Sequence, residues 1–282
     1  MVNIITKNAE STDSTKDSWQ AHLALEFQNR IDKTILAKQY HKGPMLVQRP
    51  FYPEGPVYHV YLIHPPGGVV GGDVIEVDVS CQQQSKALIT TPAAGKFYRS
   101  GGKIARQRIH LSVSEGSELE WLPQETIVFN GAQVTTKTQV NLGRTARFIG
   151  WEFIALGRPA CKEAFASGHA TTHLEIFRED KPLLLERTIL NREVINSLSG
   201  LQSHSLIATM VLYPAAKKEL EAAREIANHH RWFGATLLGD LLVCRMLGYQ
   251  AEPIRVLFAT IWGAVRPLLM HREACPPRIW AT

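Results

Sequence analysis

From residue 19 to about 213 this sequence reads as strand after strand. No helical stretch intervenes to carry the chain from one parallel strand to the next. The runs at 57–63 (VYHVYLI), 74–80 (VIEVDVS) and 86–91 (KALITT) are short, rich in β-branched or aromatic residues and bounded by Gly and Pro clusters. Further runs follow at 104–113, 119–122, 126–129, 133–142, 145–156, 173–178, 183–190 and 206–213. In QVTTKTQVNL, Val134, Thr136, Thr138 and Val140 fall on one face by period two. Alternating βαβ units need helical patterns of about 10–15 residues between strands, which excludes a doubly wound fold. The expected class is mainly β. Strands joined by such short turns can also stack as a solenoid, although no clean repeat period is visible.

The character changes after residue 213. Residues 214–232 (PAAKKELEAAREIANHHRW) begin with Pro, are dominated by Ala, Glu, Lys and Arg, and carry an apolar stripe of Leu220, Ala223, Ile226 and Ala227. Residues 253–269 form a second amphipathic helix with Ile254, Leu257, Ile261 and Val265 on one side. Between them, 237–246 reads as a strand carrying Asp240. The polar segment 1–18 reads as a disordered tail and 19–282 as one β-rich domain.

Composition excludes several classes. Hydrophobic residues at 45% and charged residues at 20% give enough apolar surface to order the chain. The N-terminus has no apolar core of a signal peptide, and no stretch reaches the ~18 apolar residues of a membrane span. The four cysteines, Cys81, Cys161, Cys244 and Cys275, are widely separated and form no metal or redox spacing. A reducing cytoplasm is the expected compartment.

The motifs do not spell out an enzyme. HPPGGVVGGD at 64–73 misses the G-x-G-x-x-G spacing and precedes a strand. It reads as a tight turn, with Asp73 at the start of the following strand. Gly95-Lys96 lacks the Ser or Thr and the first Gly of a P-loop. His169 and His173 sit at a strand entry and read as surface histidines, and His229-His230 as helix-end residues. Arg99, Lys103, Arg106 and Arg108 read as a solvated strand face. No nucleophile elbow or zinc motif occurs.

The unusual feature is single carboxylates inside apolar strand-like runs: Glu76, Asp78, Glu120, Glu125, Glu152, Glu163 and Glu186. Most should point outward from half-buried strands. Glu152 (FIGWEFIAL) and Glu186 (PLLLERTIL) have large apolar neighbours on both sides and are candidates for an interior position. A buried carboxylate is costly unless paired, hydrated or coordinating a cation. Scattered oxygen ligands suit transient passage of a divalent ion better than storage.

The strings GPMLVQRPFYPEGPVYHVYLIHPPGGVVGGD, ALITTPAAGKFYRS, LEWLPQETIVFNGA, LGRPACKEAF, PLLLER and the C-terminal PRIW together resemble the urease accessory protein UreD (UreH) family, in its order, from about Trp19 to Trp280. The resemblance implies a β-rich superhelix with a small helical C-terminal part of two helices, and a scaffold rather than an enzyme. It implies binding to apo-urease together with UreF and the GTPase UreG, and delivery of Ni²⁺ through an internal channel. No tightly bound cofactor, nucleic acid or membrane is implied. On this sequence the implied path residues are Asp73, Glu152 and Glu186, and Trp262 is a candidate for the UreF-facing surface. Two positions depart from the family pattern: Gly95 stands where relatives often carry Ser, and Lys162 where Gly is common. Two other readings compete: a β-solenoid hydrolase using a carboxylate pair such as Asp73 with Glu152 or Glu186, and a nucleic-acid binder motivated by the +5 charge and the Arg cluster.

Overall fold

The computed structural model describes residues 18–48 and 50–281. Of the tail expected over 1–18, residues 1–17 lie outside the described residues. The protein is mainly β, with a solenoid-like stack of strands. In chain order the strands are β1 (Gln20–Arg30), β2 (Lys33–Lys42), β3 (Leu46–Val47), β4 (Tyr58–Ile63), β5 (Val74–Cys81), β6 (Lys86–Thr90), β7 (Gly95–Phe97), β8 (Ala105–Val113) and β9 (Glu118–Trp121). There follow β10 (Thr126–Val128), β11 (Gln133–Leu142), β12 (Arg147–Leu156), β13 (His169–Arg178), β14 (Lys181–Leu190), β15 (Leu206–Tyr213), β16 (Phe233–Leu238) and β17 (Leu241–Gly248). The helices are α1 (Arg192–Asn196), α2 (Lys217–Ile226) and α3 (Ala251–Met270).

Two sheets face each other. One has seven strands in the order β14-β13-β11-β8-β5-β1-β2. The other runs β16-β17-β15-β12-β9-β6-β4-β3, with β7 and β10 attached beside β12. From β4 to β13 the chain alternates between them, so each coil adds a parallel strand to each sheet. Antiparallel strands finish both sheets, β14 on one side and β15, β17 and β16 on the other. Helices α2 and α3 cover the outer face of the second sheet, here called the helix-backed sheet. The opposite sheet, here the open sheet, turns its outer face to solvent.

Period two dictates which residues fill the space between the sheets. On β11, Val134, Thr136, Thr138 and Val140 all point inward, as the alternation predicts. On α3, Ile254, Leu257, Ile261 and Val265 are buried against the helix-backed sheet. That helix is long and apolar enough to cross a membrane by composition, yet half of it is buried inside the protein.

Three details differ from the sequence reading. Asp240 does not sit within a strand: the run at 237–246 breaks at Gly239, whose φ is +62°, and Asp240 lies in the turn between β16 and β17. A short helix, α1, precedes residue 214; Asn191 caps it by accepting a hydrogen bond from the Val194 N–H. Trp262 is 1% exposed, packed between α3 and the sheet, and so cannot form a docking surface. An aromatic side chain on an amphipathic helix serves the core as readily as an interface, and the sequence alone does not separate the two.

Candidate functional site

The inner faces of the two sheets are not uniformly apolar. Across the open sheet, strand register aligns Gln107 of β8 with Thr136 of β11, Thr172 of β13 and Thr188 of β14. The next inward row holds Ile109, Thr138, Leu174 and Glu186. Opposite, the helix-backed sheet aligns Glu152 of β12 with Thr209 of β15 and Arg245 of β17. One polar row thus crosses four strands of the open sheet, and a shorter one of Glu152, Thr209 and Arg245 faces it, both among aliphatic neighbours.

A cavity of about 220 Å³ occupies the space between the sheets. Its lining includes His64, Gly67, Gln124 and the segment 91–96 that runs into β7, together with Gln107, Thr136, Thr138 and Glu152. Beyond Glu152 it adjoins a narrow gap of about 20 Å³, bounded by Glu152, Thr172, Glu186, Thr188 and Thr209. Glu152 and Ile154 belong to the lining of both. The gap is the size of about one water molecule. This is not the open cleft that a carboxylate-pair hydrolase needs for a polymeric substrate.

Glu152 is the pivot of the arrangement. Burial pushes its carboxyl up to about 7; the Thr138 hydroxyl, which donates to Oε1, opposes that shift, and the nearby Glu186 adds to it. Its residual exposure faces the cavity it lines. Glu186, across the gap, accepts a hydrogen bond from Arg245 at Oε2 and one from Thr188 at 3.5 Å. Glu152 and Glu186, two of the acids picked out in the sequence, therefore meet in one place.

Asp73 serves elsewhere. Its carboxylate accepts the backbone N–H of Trp19 at 2.9 Å and of Val70 at 3.0 Å, tying the start of β1 to the glycine-rich turn. That turn is built on close approach: a Cβ on Gly68 would lie 2.2 Å from the Tyr98 ring, and one on Gly71 2.7 Å from the Lys103 carbonyl oxygen. The turn contributes Gly67 and His64 to the cavity wall. Burial lowers the His64 pKa, with Asp73 pulling the other way.

Glu120 does not point to solvent as strand alternation first suggests. It is 1% exposed on the outer face of the helix-backed sheet, where α3 covers it. The buried Arg266 guanidinium donates to both its oxygens at 2.8–3.1 Å, and the Trp262 indole N–H donates at 2.7 Å. Arg266 also donates to both oxygens of Glu54, at 2.8 and 2.7 Å. Burial pushes the Glu54 carboxyl up, but His59 and Arg266 outweigh it and hold it at about 2. This ion cluster fastens the C-terminal helix to the solenoid. Trp280 of the terminal PRIW adds to the seam, packing on Trp151 and Trp262 and donating to Thr90 at 3.1 Å.

Of the remaining acids, Glu76 and Asp78 fall on the outer face of the open sheet, whereas Glu125 lies in the segment before β10 and Glu163 pairs with Arg158. Of the basic set, Arg106 and Arg108 lie on β8 and Arg99 and Lys103 in the connection before it. Arg108 pairs with Glu76 at 2.7 Å and Lys137 with Glu175 at 2.8 Å, the expected solvated and cross-strand-paired face. His169 and His173 share that face on β13. Among the described residues no three His, Cys, Asp or Glu side chains converge to form a metal cage. The sequence reading missed Arg245 and Arg266. Each carries the signal used for the acids, a lone charge inside an apolar run: LLVCRML and IWGAVRPLL.

The comparisons with known proteins agree with the resemblance. The profile of the "UreD urease accessory protein" family matches residues 20–281. Proteins named "Urease accessory protein UreD" from Pseudomonas putida (strain W619) and Enterobacter sp. (strain 638) are 44% and 42% identical, each over 94% of this chain and over 95% and 96% of their own lengths. The one from Alcanivorax borkumensis is 40% identical over 98% of this chain and 96% of its own length. On a match covering nearly its whole length, the chain belongs to the UreD family of urease accessory proteins.

Proposed function

We propose that this protein is a non-enzymatic maturation factor for urease, a cytoplasmic metallocentre-assembly chaperone that binds apo-urease with UreF and UreG and passes Ni²⁺ through its interior. The observation that carries the reading is the mainly apolar cavity between the sheets, in which Gln107, Thr136, Thr138 and Glu152 are polar points and which adjoins a small gap bounded by Glu152 and Glu186. A hydrated divalent cation entering a low-dielectric passage is drawn to carboxylates far more strongly than at a surface. Oxygen ligands with water exchange rapidly and so release what they bind. Of the three acids implied by the resemblance, Glu152 and Glu186 carry this role by position, and Asp73 shapes the turn beside the cavity wall.

The open edge near Glu186 also has a surface that asks for cover. The edge strand β14 exposes Leu185 and Ile189, and Leu198 after α1 is 86% exposed. We assign partner contact to this side of the molecule, in place of the buried Trp262.

The test is co-expression of Glu186→Leu and Glu186→Gln variants with a urease cluster. Both should leave the accessory complex assembled by pull-down while lowering the nickel content of urease. Leu should be worse than Gln, because it also dewets the gap. Normal nickel loading in Glu186→Leu would overturn the passage.

A further inference from the structure

Glu186 is already engaged by a cation of the protein's own. Arg245 leaves the inner face of β17 between Val243 and Leu247, and its Nη2 donates across the gap between the sheets to Glu186 Oε2. Strand register puts Arg245 in the same row as Glu152 and Thr209, one strand beyond Thr209 and two beyond Glu152 toward the free edge. A divalent ion that has reached Glu152 therefore finds its next carboxylate neutralised. Space for the guanidinium to withdraw lies on that side: Gly234 of the edge strand β16 is the register partner of Arg245, and a Cβ there would meet nothing within 4 Å.

We propose that Arg245 is a resident counter-ion lock on the passage. It holds Glu186 until an incoming divalent cation competes for the carboxylate, and it returns when the cation leaves. It thereby determines how tightly and for how long the ion is retained. This rests on the passage reading above. The physical logic is exchange of one cation for another at a partly buried carboxylate. Without Arg245, Glu186 would be a half-buried carboxylate with only the Thr188 hydroxyl beside it, free to hold a divalent ion. With it, the carboxylate is never left uncompensated, and release is assisted. Arg245 is a positioning residue, since it acts through Glu186 and repels the cargo itself.

The experiment measures Ni²⁺ binding to the full-length chain by equilibrium dialysis, with thermal melts of each variant alongside. Arg245→Met removes the charge and keeps the length. It should tighten Ni²⁺ binding about tenfold or more, the scale on which a nearby opposite charge alters a carboxylate's affinity for a proton. Arg245→Lys should bind like the wild type, and Glu186→Gln should cancel the gain in the double variant. If Arg245→Met leaves binding unchanged while Glu186→Gln weakens it, the lock is wrong and the passage stands. If Glu152→Gln, Glu186→Gln and Arg245→Met all leave Ni²⁺ binding unchanged, the passage fails and takes the lock with it. If Arg245→Met and Arg245→Gln both weaken binding and lower the melting temperature, Arg245 is a latch between the sheets and the proposal is overturned.

Discussion

Glu120 and Glu152 sit on neighbouring strands, β9 and β12, of one sheet, and face opposite ways. Glu120 looks outward under α3 and has three donors, two from Arg266 and one from Trp262. Glu152 looks inward to the cavity and has the Thr138 hydroxyl. The first carboxylate is satisfied, and its site has no capacity left for a ligand. The second is underpaired, and the protein tolerates it by raising its affinity for a proton. A buried acid with a full complement of partners is architecture, whereas one left short of partners is a place where a cation gains free energy by binding.

The largest expected effect breaks the satisfied side. Arg266→Met leaves Glu54 and Glu120 facing each other under α3 with their shared counter-charge gone. Removing one partner of a buried ion pair costs about 3–5 kcal/mol. Here Glu120 loses its counter-charge outright, while Glu54 keeps His59 at 2.6 Å and Arg272 at 3.9 Å. Chemical denaturation should show a loss in that range. Replacing Glu120 by Leu in the same background should recover part of it, because the orphaned charge disappears. A loss of under about 1 kcal/mol would place Arg266 among surface ion pairs and collapse the contrast between the two sites.

The next effect tests the underpaired side by pH. The Glu152 carboxyl goes from an ordinary 4.5 to about 7 on folding, so the folded state holds its proton more tightly. Its contribution to stability is complete below about pH 4.5 and is lost as pH rises through about 7. The loss amounts to up to about 3 kcal/mol at one pH unit per 1.36 kcal/mol. Unfolding free energy measured from pH 5 to 8 should decline, and Glu152→Gln should flatten that decline. Glu54 works in the opposite sense: held at about 2, it adds stability above about pH 4.5 that is lost as pH falls toward 2. A Glu152→Gln profile that still declines as steeply as the wild type would assign the slope to another group.

Much of this was legible in the sequence, and the parts that were not share one cause. Alternation in QVTTKTQVNL gave the inward face of β11, and lone carboxylates in apolar runs led to Glu152 and Glu186. The strand boundaries at Gln133–Leu142 and Leu206–Tyr213 match the reading residue for residue. Pairing across long distances was hidden. Glu120 and Arg266 are 146 residues apart, and no local pattern announces that α3 will fold over β9. The same blindness made Trp262 look like an interface residue and left Arg245 without its partner Glu186, 59 positions away. Lys162 illustrates the reverse. The family pattern expects Gly there, and the backbone adopts a left-handed φ of 56° that a glycine would hold without strain.

The smallest effect sharpens the comparison at a single hydroxyl. Thr138 is the side-chain donor to Glu152, and its position follows from period two on β11. Thr138→Val keeps the shape and removes the donor. When Glu152 is ionised, the lost bond is one to a charge, worth more than a neutral one. The variant should therefore be close to wild type at pH 5, where Glu152 carries its proton. At pH 8 it should be less stable by about a further 1 kcal/mol. In a Glu152→Gln background the pH dependence of the Thr138→Val penalty should vanish, since no charge remains to be solvated. Denaturation of the four proteins at the two pH values completes a double-mutant cycle. An equal penalty at both pH values would mean that Thr138 only packs the wall, and that the inward carboxylate is stabilised by something other than its one hydroxyl.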